Sequence, residues 1–506
     1  MKKNLLFICI FIASMTLAAQ DGITLHFMRL NPYSQYSSPS AFIPYTGHVG
    51  VTGIGNVNVS IQNSSLLFNR LFGSDSEGTI TTLKLNTFAD QLSEKGNYLS
   101  TNIGVNIIDF GFRVKQMYFS FSYRIRSDGY LFFNRDAVAL PIYGNMYYAN
   151  QNKIAKPELS VCLNAYQEFS LGIQVEITPQ IYIGVRPKLL FGLAHNKTKS
   201  AYASIYTNPD DYVTSINHNL DAELSCFIPY SINTDTTDQA GIAFYPEDLR
   251  NDWPNMFKNV GAAIDLGFTY RINNMFGVSA SILDLGFIRW TTNNYRLRSS
   301  TTDAGYYYND GSFIFTGLNY DDIQRFNEDP EAVKKEIMEY FPVEATPSSA
   351  FTRMLAGRFI MEGYCNVGKH HRFTALFQGR IVNKQFLPSF TVAWNGTFLN
   401  IFDLCVNYTI AKKSYGNLGL GVGFNLGVFH IYAATDNIFG FCNSKSPKRS
   451  LLNTHTANLQ AGIVFDWGKV QEKKLGQTAK TKKSKKDKKT TKVENETPAP
   501  PLPDRQ

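Results

Sequence analysis

Residues 160–193 read SVCLNAYQEFSLGIQVEITPQIYIGVRPKLLFGL, and this stretch decides the fold. Apolar side chains recur at every second position on both sides of a short turn at residues 178–180, for example from Phe169 to Ile177 and from Ile181 to Val185. Successive side chains of a β-strand point to opposite faces of the sheet. The pattern therefore predicts two long antiparallel strands, each with one apolar and one polar face.

The length of these segments distinguishes between two kinds of β-protein. Strands of soluble proteins average about 5–6 residues, whereas a tilted strand that crosses a membrane needs about 9–11. The segments 160–177 and 181–193 are longer than a soluble protein needs, and their polar face carries Glu168 and Arg186 in mid-strand. Such charges are typical of outer-membrane barrels, whose interior is polar. A soluble sandwich, which also alternates, is the other interpretation.

The same pattern recurs along the chain and predicts an all-β fold, a 14-stranded antiparallel transmembrane β-barrel with small loop helices. The predicted strands are 49–61, 101–114, 117–126, 160–177, 181–193, 260–272, 276–288, 351–366, 372–382, 388–398, 402–411, 417–426, 428–436 and 457–467. Links after even-numbered strands are short and many of the others are long, as in barrels with periplasmic turns and outer loops. Phase slips at 107–108 and 282–283 predict β-bulges. We interpret 198–228 as a hairpin above the barrel; if it spans the membrane, the count becomes sixteen.

Three other segments bear on whether the lumen is plugged. One predicted helix is capped by Thr82, and another starts at Asp329, which Pro330 follows. Both helices lie in outer loops, where they either fold into the lumen or lie on the loop surface. Residues 21–46 contain several prolines and do not suit a strand. We therefore predict that they form a lumenal plug or a periplasmic tether.

Charged residues on the polar faces are the candidate lumen-lining residues. They are Asp109, Arg113, Arg124, Glu168, Arg186, Lys188, Asp265, Arg271, Asp284, Arg358, Glu362 and Arg380. Some acidic members could form acid–base pairs, but ion pairing with lumenal arginines and lysines is the favoured interpretation. The sequence has no complete Gly-x-Ser-x-Gly, His-Glu-x-x-His, Cys-x-x-Cys or P-loop motif, and we interpret His370-His371 as a solvated turn. We predict no catalytic residues, no metal site and no cofactor, and hence no enzyme.

The two ends of the chain differ from the predicted barrel at 47–468. Residues 1–20 have two lysines, a short apolar run and small residues, which predicts a cleaved signal peptide; a membrane anchor is the alternative. Residues 469–506 are rich in lysine and proline, which predicts a disordered tail in the periplasm. That tail is either simply solvated or contacts anionic lipid headgroups, periplasmic polymers or secretion partners. The five cysteines outside the leader are widely spread and predict no disulfide framework.

The net charge of +8 belongs mainly to these ends. The tail has twelve basic and five acidic residues and the leader has two lysines, so the remainder carries a net charge of −1. The basic balance therefore does not indicate nucleic-acid binding. Charged residues make up 18% of the chain, below the roughly 25% of average globular domains. A surface that contacts lipid explains this low fraction.

The last predicted strand ends in a pattern of polar, glycine and aromatic residues. Gln460, Gly462, Phe465 and Trp467 follow the order polar-x-Gly-x-x-aromatic-x-aromatic. This order resembles the signal that barrel-insertion machinery reads in the last strand of an outer-membrane protein. Outer-membrane lipid and that machinery are therefore predicted partners. An edge strand of a sandwich with aromatic packing is the alternative.

Several sequence blocks resemble a known group of barrels. They are residues 284–290 (DLGFIRW), residues 184–193 (GVRPKLLFGL) and the end of the thirteenth predicted strand, from Leu426 to Thr435-Asp436-Asn437. The chain resembles an uncharacterised family of exported barrels over nearly all of residues 30–468. That family is similar to the FadL-type (fatty-acid transporter) superfamily, which includes the PorV-like barrels of type IX secretion. The resemblance implies a plugged fourteen-stranded barrel.

The resemblance does not identify a ligand. FadL-type plugs carry an Asn-Pro-Ala element, whereas here Tyr33 follows Asn31-Pro32, so no ligand-binding residue of the family is carried over. We expect an outer-membrane barrel that binds or passes a small hydrophobic ligand. One alternative is a non-transporting scaffold or shuttle for secretion or surface-attachment partners. Another is a secreted soluble β-protein such as an adhesin.

Overall fold

The structure covers the predicted barrel and the segment before it. The computed structural model describes residues 22–64, 72–74, 80–94, 96–210, 214–233, 241–245, 253–299, 306–308, 343–382, 385–399, 401–411, 414–438, 456–473 and 475. The predicted signal peptide, the predicted helix that starts at Asp329 and nearly all of the predicted tail lie outside these residues. No helix within the described residues is long and apolar enough to cross a lipid bilayer.

Fourteen antiparallel strands among the described residues form one closed sheet, which confirms the predicted strand number. They are β1 (Tyr45–Gly50 and Val57–Asn63), β2 (Asn97–Val114), β3 (Met117–Phe133), β4 (Leu159–Thr178), β5 (Ile181–Thr207), β6 (Val260–Arg271), β7 (Phe276–Trp290), β8 (Phe351–Met354 and Arg358–Val367), β9 (His371–Val382), β10 (Gln385–Phe398), β11 (Phe402–Ala411), β12 (Ser414–Leu426), β13 (Phe429–Thr435) and β14 (Thr456–Lys469). Each strand pairs with the next, and β14 pairs with β1 through registers such as Val49 with Phe465. Closure removes the free sheet edges.

The two ends of the barrel differ in the length of their connections. The links β2–β3, β4–β5, β6–β7, β8–β9, β10–β11 and β12–β13 are all short and lie at one end, which we call the turn end. Tyr45 at the start of β1 pairs with Lys469 at the end of β14, so both ends of the barrel sheet also lie there. The long connections lie at the opposite end, which we call the loop end, although the links β9–β10 and β11–β12 at that end have only two residues each.

In the barrel wall apolar side chains are exposed and charged side chains are buried, which is the reverse of the pattern in a soluble protein. In β6 the apolar side chains of Leu266 and Phe268 are 38% and 44% exposed, whereas the charged Asp265 is 0% exposed and Arg271 only 5%. The burial pattern of β6 and β7 alternates in this way along nearly their whole length. An apolar outer face is stable only against lipid, and the polar inner face lines the lumen. The chain is therefore an outer-membrane β-barrel.

Two β-bulges interrupt the regular ladder. The pairing of β2 with β3 shifts between Asn106 and Ile108, as the phase slip at 107–108 predicts. In β7 the extra residue lies one position beyond the predicted 282–283, because Leu283 and Asp284 together face Asp265. Leu283 and Asp284 are both buried. The bulge therefore directs two consecutive side chains inward.

Beyond the loop end of the barrel, β5 continues into an extension of the same sheet. Residues 194–207 of β5 pair with Thr214–Cys226, and Asn294–Ser299 and Val343–Pro347 extend the sheet. The hairpin interpretation of 198–228 is therefore confirmed, and this region adds no strand to the barrel. The other short strands are Phe72–Ser74 with Ile80–Leu83, Tyr230–Asn233 with Gly241–Phe244, and Tyr306–Tyr308, which pairs with the strand Thr214–Cys226.

The helices in the described part of the chain are short. They are α1 (Ile23–Phe27), α2 (Leu85–Asp90), α3 (Asp136–Ala149) and the 3₁₀ helices Pro32–Tyr36 and Trp253–Phe257. The predicted cap of α2 is wrong, because Thr82 lies in the strand before the helix and Lys84 precedes its first turn. The sequence pattern missed α3, since Pro141 and Gly144 interrupt its periodicity. At the loop end, α3 packs against α2 and the upper part of β5.

Candidate functional site

The lumen is filled in part by residues 22–44, which we call the plug segment. The apolar side chains of α1 are buried, with Ile23, Leu25 and Phe27 each no more than 4% exposed. They pack in one apolar cluster with inward-facing side chains of β7 to β11 and with Tyr432, Ala434 and Val464 of β13 and β14. We call the part of this cluster on β7 to β11 the apolar socket; its residues are Leu283, Ile360, Leu376, Ala393 and Cys405. One side of the otherwise polar lumen is therefore apolar, and the plug segment covers it.

Buried carboxylates hold the backbone of the plug segment. The N–H groups of Ile23 and Thr24 donate to the two oxygens of Asp436 at 3.2 and 2.9 Å. Further along, the N–H of Leu30 donates to Asp403 at 3.2 Å. Hydrogen bonds to a charged acceptor are stronger than neutral ones. The plug segment is therefore fastened at both ends of α1.

A histidine joins α1 to strand β8 of the wall. His26 Nε2 lies 2.8 Å from Glu362 Oε2, and Ser279 Oγ donates to the other oxygen of Glu362 at 2.7 Å. The second ring nitrogen of His26 lies 2.8 Å from Ser37 Oγ, which belongs to the plug segment itself. Glu362, a predicted lumen-lining residue, thus contacts the plug segment and not another strand charge.

A tyrosine attaches the plug segment to the wall at a further point. The hydroxyl of Tyr36 donates to Asp109, and the guanidinium groups of Arg124 and Arg186 lie 4.2 and 4.9 Å from its ring centre. Cations over an aromatic face are attracted by its negative charge density. The other oxygen of Asp109 lies 2.9 Å from His48 Nε2. Three predicted lumen-lining residues therefore surround one side chain of the plug segment.

Asp284 is the centre of a group of buried ion pairs. It accepts hydrogen bonds from Arg126 Nη1 at 2.8 Å, Lys188 Nζ at 2.7 Å and Arg358 Nη2 at 3.0 Å. The φ angle of Asp284 is 57°, in the left-handed region, and its N–H donates to Asp265 at 2.7 Å. We call this group the charge cluster; its residues are Arg126, Glu168, Lys188, Asp265, Asp284 and Arg358.

The remaining contacts of the charge cluster connect several strands. Glu168 lies 3.0 Å from Arg126 and 3.5 Å from Arg124, and Asp265 lies 2.8 Å from Lys188 and 3.4 Å from Arg186. These strands are β3 to β8, so the ion pairs reach across part of the lumen. Buried charges of both signs neutralise one another here. The arrangement is a structural network and offers no isolated acid–base pair.

One further ion pair extends farther across the lumen. Arg380 on β9 lies 3.2 Å from Asp128 on β3, and five strands of the wall lie between β3 and β9. Asp128 also accepts a hydrogen bond from Tyr166 at 3.3 Å. This polar contact between β3 and β9 therefore crosses the lumen.

The other two predicted lumen-lining residues lie near the turn end. Arg113 donates to the carbonyls of Ile43 and Tyr45, where the plug segment joins β1. Arg271 lies apart from the charge cluster, donates to the Pro179 carbonyl at 3.0 Å and lies 3.4 Å from Glu472.

The plug segment also brings a cation to the turn end. The guanidinium of Arg372, together with burial, lowers the pKa of Arg29 to about 10. The carboxylates of Glu472 and Asp403 act in the opposite direction, because they stabilise the protonated form. Arg29 therefore lies in a mouth of the lumen that carries charges of both signs.

Sequence reasoning missed several residues of this site. Arg126 is the last residue of the predicted strand 117–126 but was not among the predicted lumen-lining residues. Asp128 continues the alternation of β3 beyond that predicted end, and counting the strand further would have found it. His26, Tyr36 and His48 gave no signal, because their partners are distant in sequence. Among the described residues no group of three or more His, Cys, Asp or Glu side chains is arranged to hold a metal ion.

The residues of the predicted insertion signal lie on both faces of β14. Gln460 is buried in the lumen, whereas Trp467 is 44% exposed on the outer face. The rings of Phe465 and Phe429 lie 4.8 Å apart on neighbouring strands. A Cβ atom at Gly462 would lie 1.9 Å from the Gly55 carbonyl oxygen. Gly462 is therefore needed where β14 meets the interruption in β1, whatever its role in insertion.

Comparison with solved structures finds barrels of similar architecture. The toluene transporter TodX of P. putida is 8% identical, with a TM-score of 0.38 and coverage of 87% of this chain and 94% of TodX. The toluene transporter TbuX of Ralstonia pickettii is 7% identical, with a TM-score of 0.39 and coverage of 86% and 94%. A Pseudomonas aeruginosa FadL homologue is 9% identical, with a TM-score of 0.30 and coverage of 89% and 97%.

Comparison with sequences is more specific. Curated proteins give no match. A family model described as "Family of unknown function (DUF5723)" matches residues 39–436, from the end of the plug segment to the residue after β13. This match covers well over half of the chain. The chain therefore belongs to the Family of unknown function (DUF5723).

Proposed function

We propose that this barrel binds a small hydrophobic ligand in its lumen and passes it across the outer membrane, with the plug segment as the closure. The observation that supports the proposal is the apolar socket, a patch of apolar side chains inside a lumen whose other inward residues are largely polar. In the closed state Ile23, Leu25 and Phe27 of α1 occupy it. A wall that served only to carry water or ions would not need such a patch.

The energetics of α1 fit a displaceable closure. Burying a Leu, Ile or Phe side chain contributes about 1.5–3 kcal/mol, and an apolar ligand in the socket replaces the same contacts. The polar attachments at Asp436, Asp403 and Glu362 bind groups that water can also satisfy. A ligand that replaces α1 therefore makes apolar contacts equivalent to those that α1 loses. Water replaces part of the hydrogen bonds that the plug segment loses with the wall.

Binding of an apolar fluorescent probe tests the proposal. Phe27→Ala shortens a buried side chain of α1 in the apolar cluster, so N-phenylnaphthylamine should bind the reconstituted variant more tightly than it binds the reconstituted wild-type barrel. Phe424→Ala is the matched control, because Phe424 is 45% exposed on the outer face of β12. Equal probe affinity in Phe27→Ala, Phe424→Ala and wild-type protein would speak against a hydrophobic site in the lumen.

We also propose an orientation for the barrel. Short turns of outer-membrane barrels face the periplasm, which would put the turn end and the lysine-rich residues after Lys473 in that compartment. There the tail would contact anionic lipid headgroups, or periplasmic or secretion partners, through its lysines. Protease added to intact cells should leave the tail uncut and should remove it after the outer membrane is permeabilised. Cleavage in intact cells would reverse the orientation.

A further inference from the structure

The 3₁₀ helix Trp253–Phe257 lies against the outside of the barrel wall at the loop end. The ring of Phe257 meets that of Phe191 edge-on at 5.2 Å, and the ring of Trp253 lies 6.2 Å from Phe257. Phe191 points outward on β5, because the neighbouring Leu190 is buried on the inner face. Trp253 is 57% exposed. The helix therefore adds an exposed aromatic side chain to the outer surface of the wall.

The aromatic contacts continue along the outer surface from strand to strand. Phe191 lies 5.8 Å from Phe169 on β4, and Phe169 stacks on Tyr123 of β3 at 4.4 Å. Aromatic side chains are enriched where the surface of an outer-membrane barrel passes from lipid hydrocarbon to lipid headgroups. The level of Phe191 therefore marks the edge of the hydrocarbon at the loop end.

An arginine on the outer face lies at the same level. The register of β6 with β7 places Arg289 beside Val260, which pairs with Phe191 on its other side. Arg289 is exposed. The other outward side chains of β7 are all uncharged; they are Phe276, Val278, Ala280, Ile282, Leu285 and Phe287. A charge on the lipid face destabilises a barrel in the middle of the bilayer but is tolerated near the headgroups. Arg289 therefore belongs to the headgroup level.

A second cation lies near Arg289. The hydroxyl of Thr291 donates to the Lys258 carbonyl at 3.1 Å, so residue 258 lies next to the end of β7 that carries Arg289. The side chain of Lys258 is exposed. Among the described residues no carboxylate forms an ion pair with Lys258 or Arg289. We call this part of the surface the basic rim; its residues are Trp253, Phe257, Lys258 and Arg289.

The surroundings of the basic rim define the chemistry of its ligand. Ammonium and guanidinium groups form strong hydrogen bonds with phosphate oxygens, and a guanidinium can contact two of them at once. On the hydrocarbon side of Arg289, the outward Phe287 pairs with Met354, which is 67% exposed. A molecule that contacts both surfaces needs an anionic head and an apolar chain. Free phosphate lacks the chain, and an acidic protein surface does not enter the hydrocarbon.

We propose that the basic rim binds the phosphate of an anionic lipid headgroup, and that the acyl chains of this lipid lie along Phe287 and Met354. Lys258 and Arg289 contact the phosphate, while Trp253 lies at the level of the headgroup. The lipid belongs to the leaflet at the loop end. Because the basic rim is on the outside of the wall, the proposal does not depend on a ligand in the lumen.

Lipid binding to the full-length barrel in detergent tests the proposal. The barrel is titrated with phosphatidylglycerol, and binding of the first lipid molecule is followed by native mass spectrometry. Wild-type protein should bind phosphatidylglycerol at least about fivefold more tightly than zwitterionic phosphatidylcholine, since each cation near an anionic headgroup increases binding by roughly that factor. Lys258→Gln/Arg289→Gln should remove this preference. Both side chains are exposed, so the variant should assemble, which heat-modifiable migration on a gel checks.

The matched control is Lys156→Gln/Arg298→Gln, which removes two exposed cations from the sheet extension and its neighbouring loop, beyond the loop end. Its net charge changes by the same amount, and it should keep the preference. Equal loss in both double variants would indicate a general effect of charge. Competition by glycerol 3-phosphate, which has no acyl chain, would indicate a site for free phosphate. Either result would overturn the proposal, as would an unchanged preference in Lys258→Gln/Arg289→Gln or equal binding of the two lipids by wild-type protein.

Discussion

Asp284 organises the interior of the barrel through one unusual backbone conformation. Its φ of 57° is a left-handed value that aspartate and asparagine adopt more readily than most residues. The resulting bulge buries both Leu283 and Asp284, so one side chain joins the apolar socket and the next joins the charge cluster. A single inserted residue therefore contributes to both parts of the lumen.

At the residue scale, Asp284→Asn should destabilise the barrel. Asparagine tolerates the same φ, so the substitution removes the charge and leaves Arg126, Lys188 and Arg358 with less compensation. Breaking buried pairs in this way costs about 3–5 kcal/mol, which a denaturant titration of the reconstituted barrel measures as a lower free energy of unfolding.

Asp221→Asn is the matched control at an exposed position. Asp221 pairs with Arg296 at 2.6 Å on the sheet above the barrel, where the side chains are 22% and 29% exposed. Loss of such a pair costs at most about 1 kcal/mol. If the two substitutions reduce the free energy of unfolding equally, the charge cluster does not stabilise the barrel in the way that its burial indicates.

At the scale of elements, the seam between β1 and β14 is the least regular part of the wall. Residues 51–56 interrupt β1, and hydrogen bonds from Val51 to Ile463 and from Ile463 to Ile54 hold the interruption against β14. Gly462 lies beside the interruption, and the Gly55 carbonyl oxygen occupies the space that a Cβ atom at residue 462 would need. Closure of the barrel therefore depends on a backbone-to-backbone contact that no side chain can replace.

Gly462→Ala should weaken this seam. The added methyl group meets backbone atoms that cannot rotate away, and overpacking of this kind costs about 1–3 kcal/mol. Migration of unheated protein on a gel reports closure, and the folded form should convert to the unfolded form at a lower temperature. Gly363→Ala on β8 is the control, because a Cβ atom there has nothing within 4 Å; equal melting of both variants would contradict the prediction.

At the scale of the whole molecule, two groups of residues obstruct the lumen, and we call them the plug layer and the charged layer. The plug layer is the plug segment, and the charged layer consists of the charge cluster and the ion pair of Asp128 with Arg380, which connect strands across the lumen. The plug segment is attached through hydrogen bonds and apolar contacts of one short stretch of chain, whereas the charged side chains belong to the strands themselves. The two layers should therefore differ in how readily they open.

Deletion of residues 22–42 should raise the ion conductance of the barrel in planar bilayers, because it removes the layer that is not part of the wall. The conductance should stay below that of an open pore of fourteen strands, since the charged layer remains. Deletion of residues 476–506 is the control and should leave the conductance unchanged. A barrel without the plug segment that conducts no better than wild-type protein would show that the charged side chains alone close the lumen.

Much of the fold follows from local sequence. Alternation with a period of two, as in 160–193, identified the strands, and the short links identified the turn end, because both signals depend only on neighbouring residues. Strand ends were less accurate: β3 and β5 extend to Phe133 and Thr207, beyond the predicted ends at 126 and 193. Helix α3 was missed because proline and glycine disturb its pattern.

The sequence by itself determined that the chain forms a barrel in a membrane, since an apolar face and a charged face on strands of this length suit lipid on one side and a polar lumen on the other. It also identified most charged residues of the lumen as inward-facing. Only the tertiary structure decided which charges meet at Asp284, that α1 covers the apolar socket, and that Gly22 lies against Gln460. Those contacts join residues that are distant in sequence, and closure of the sheet brings them together.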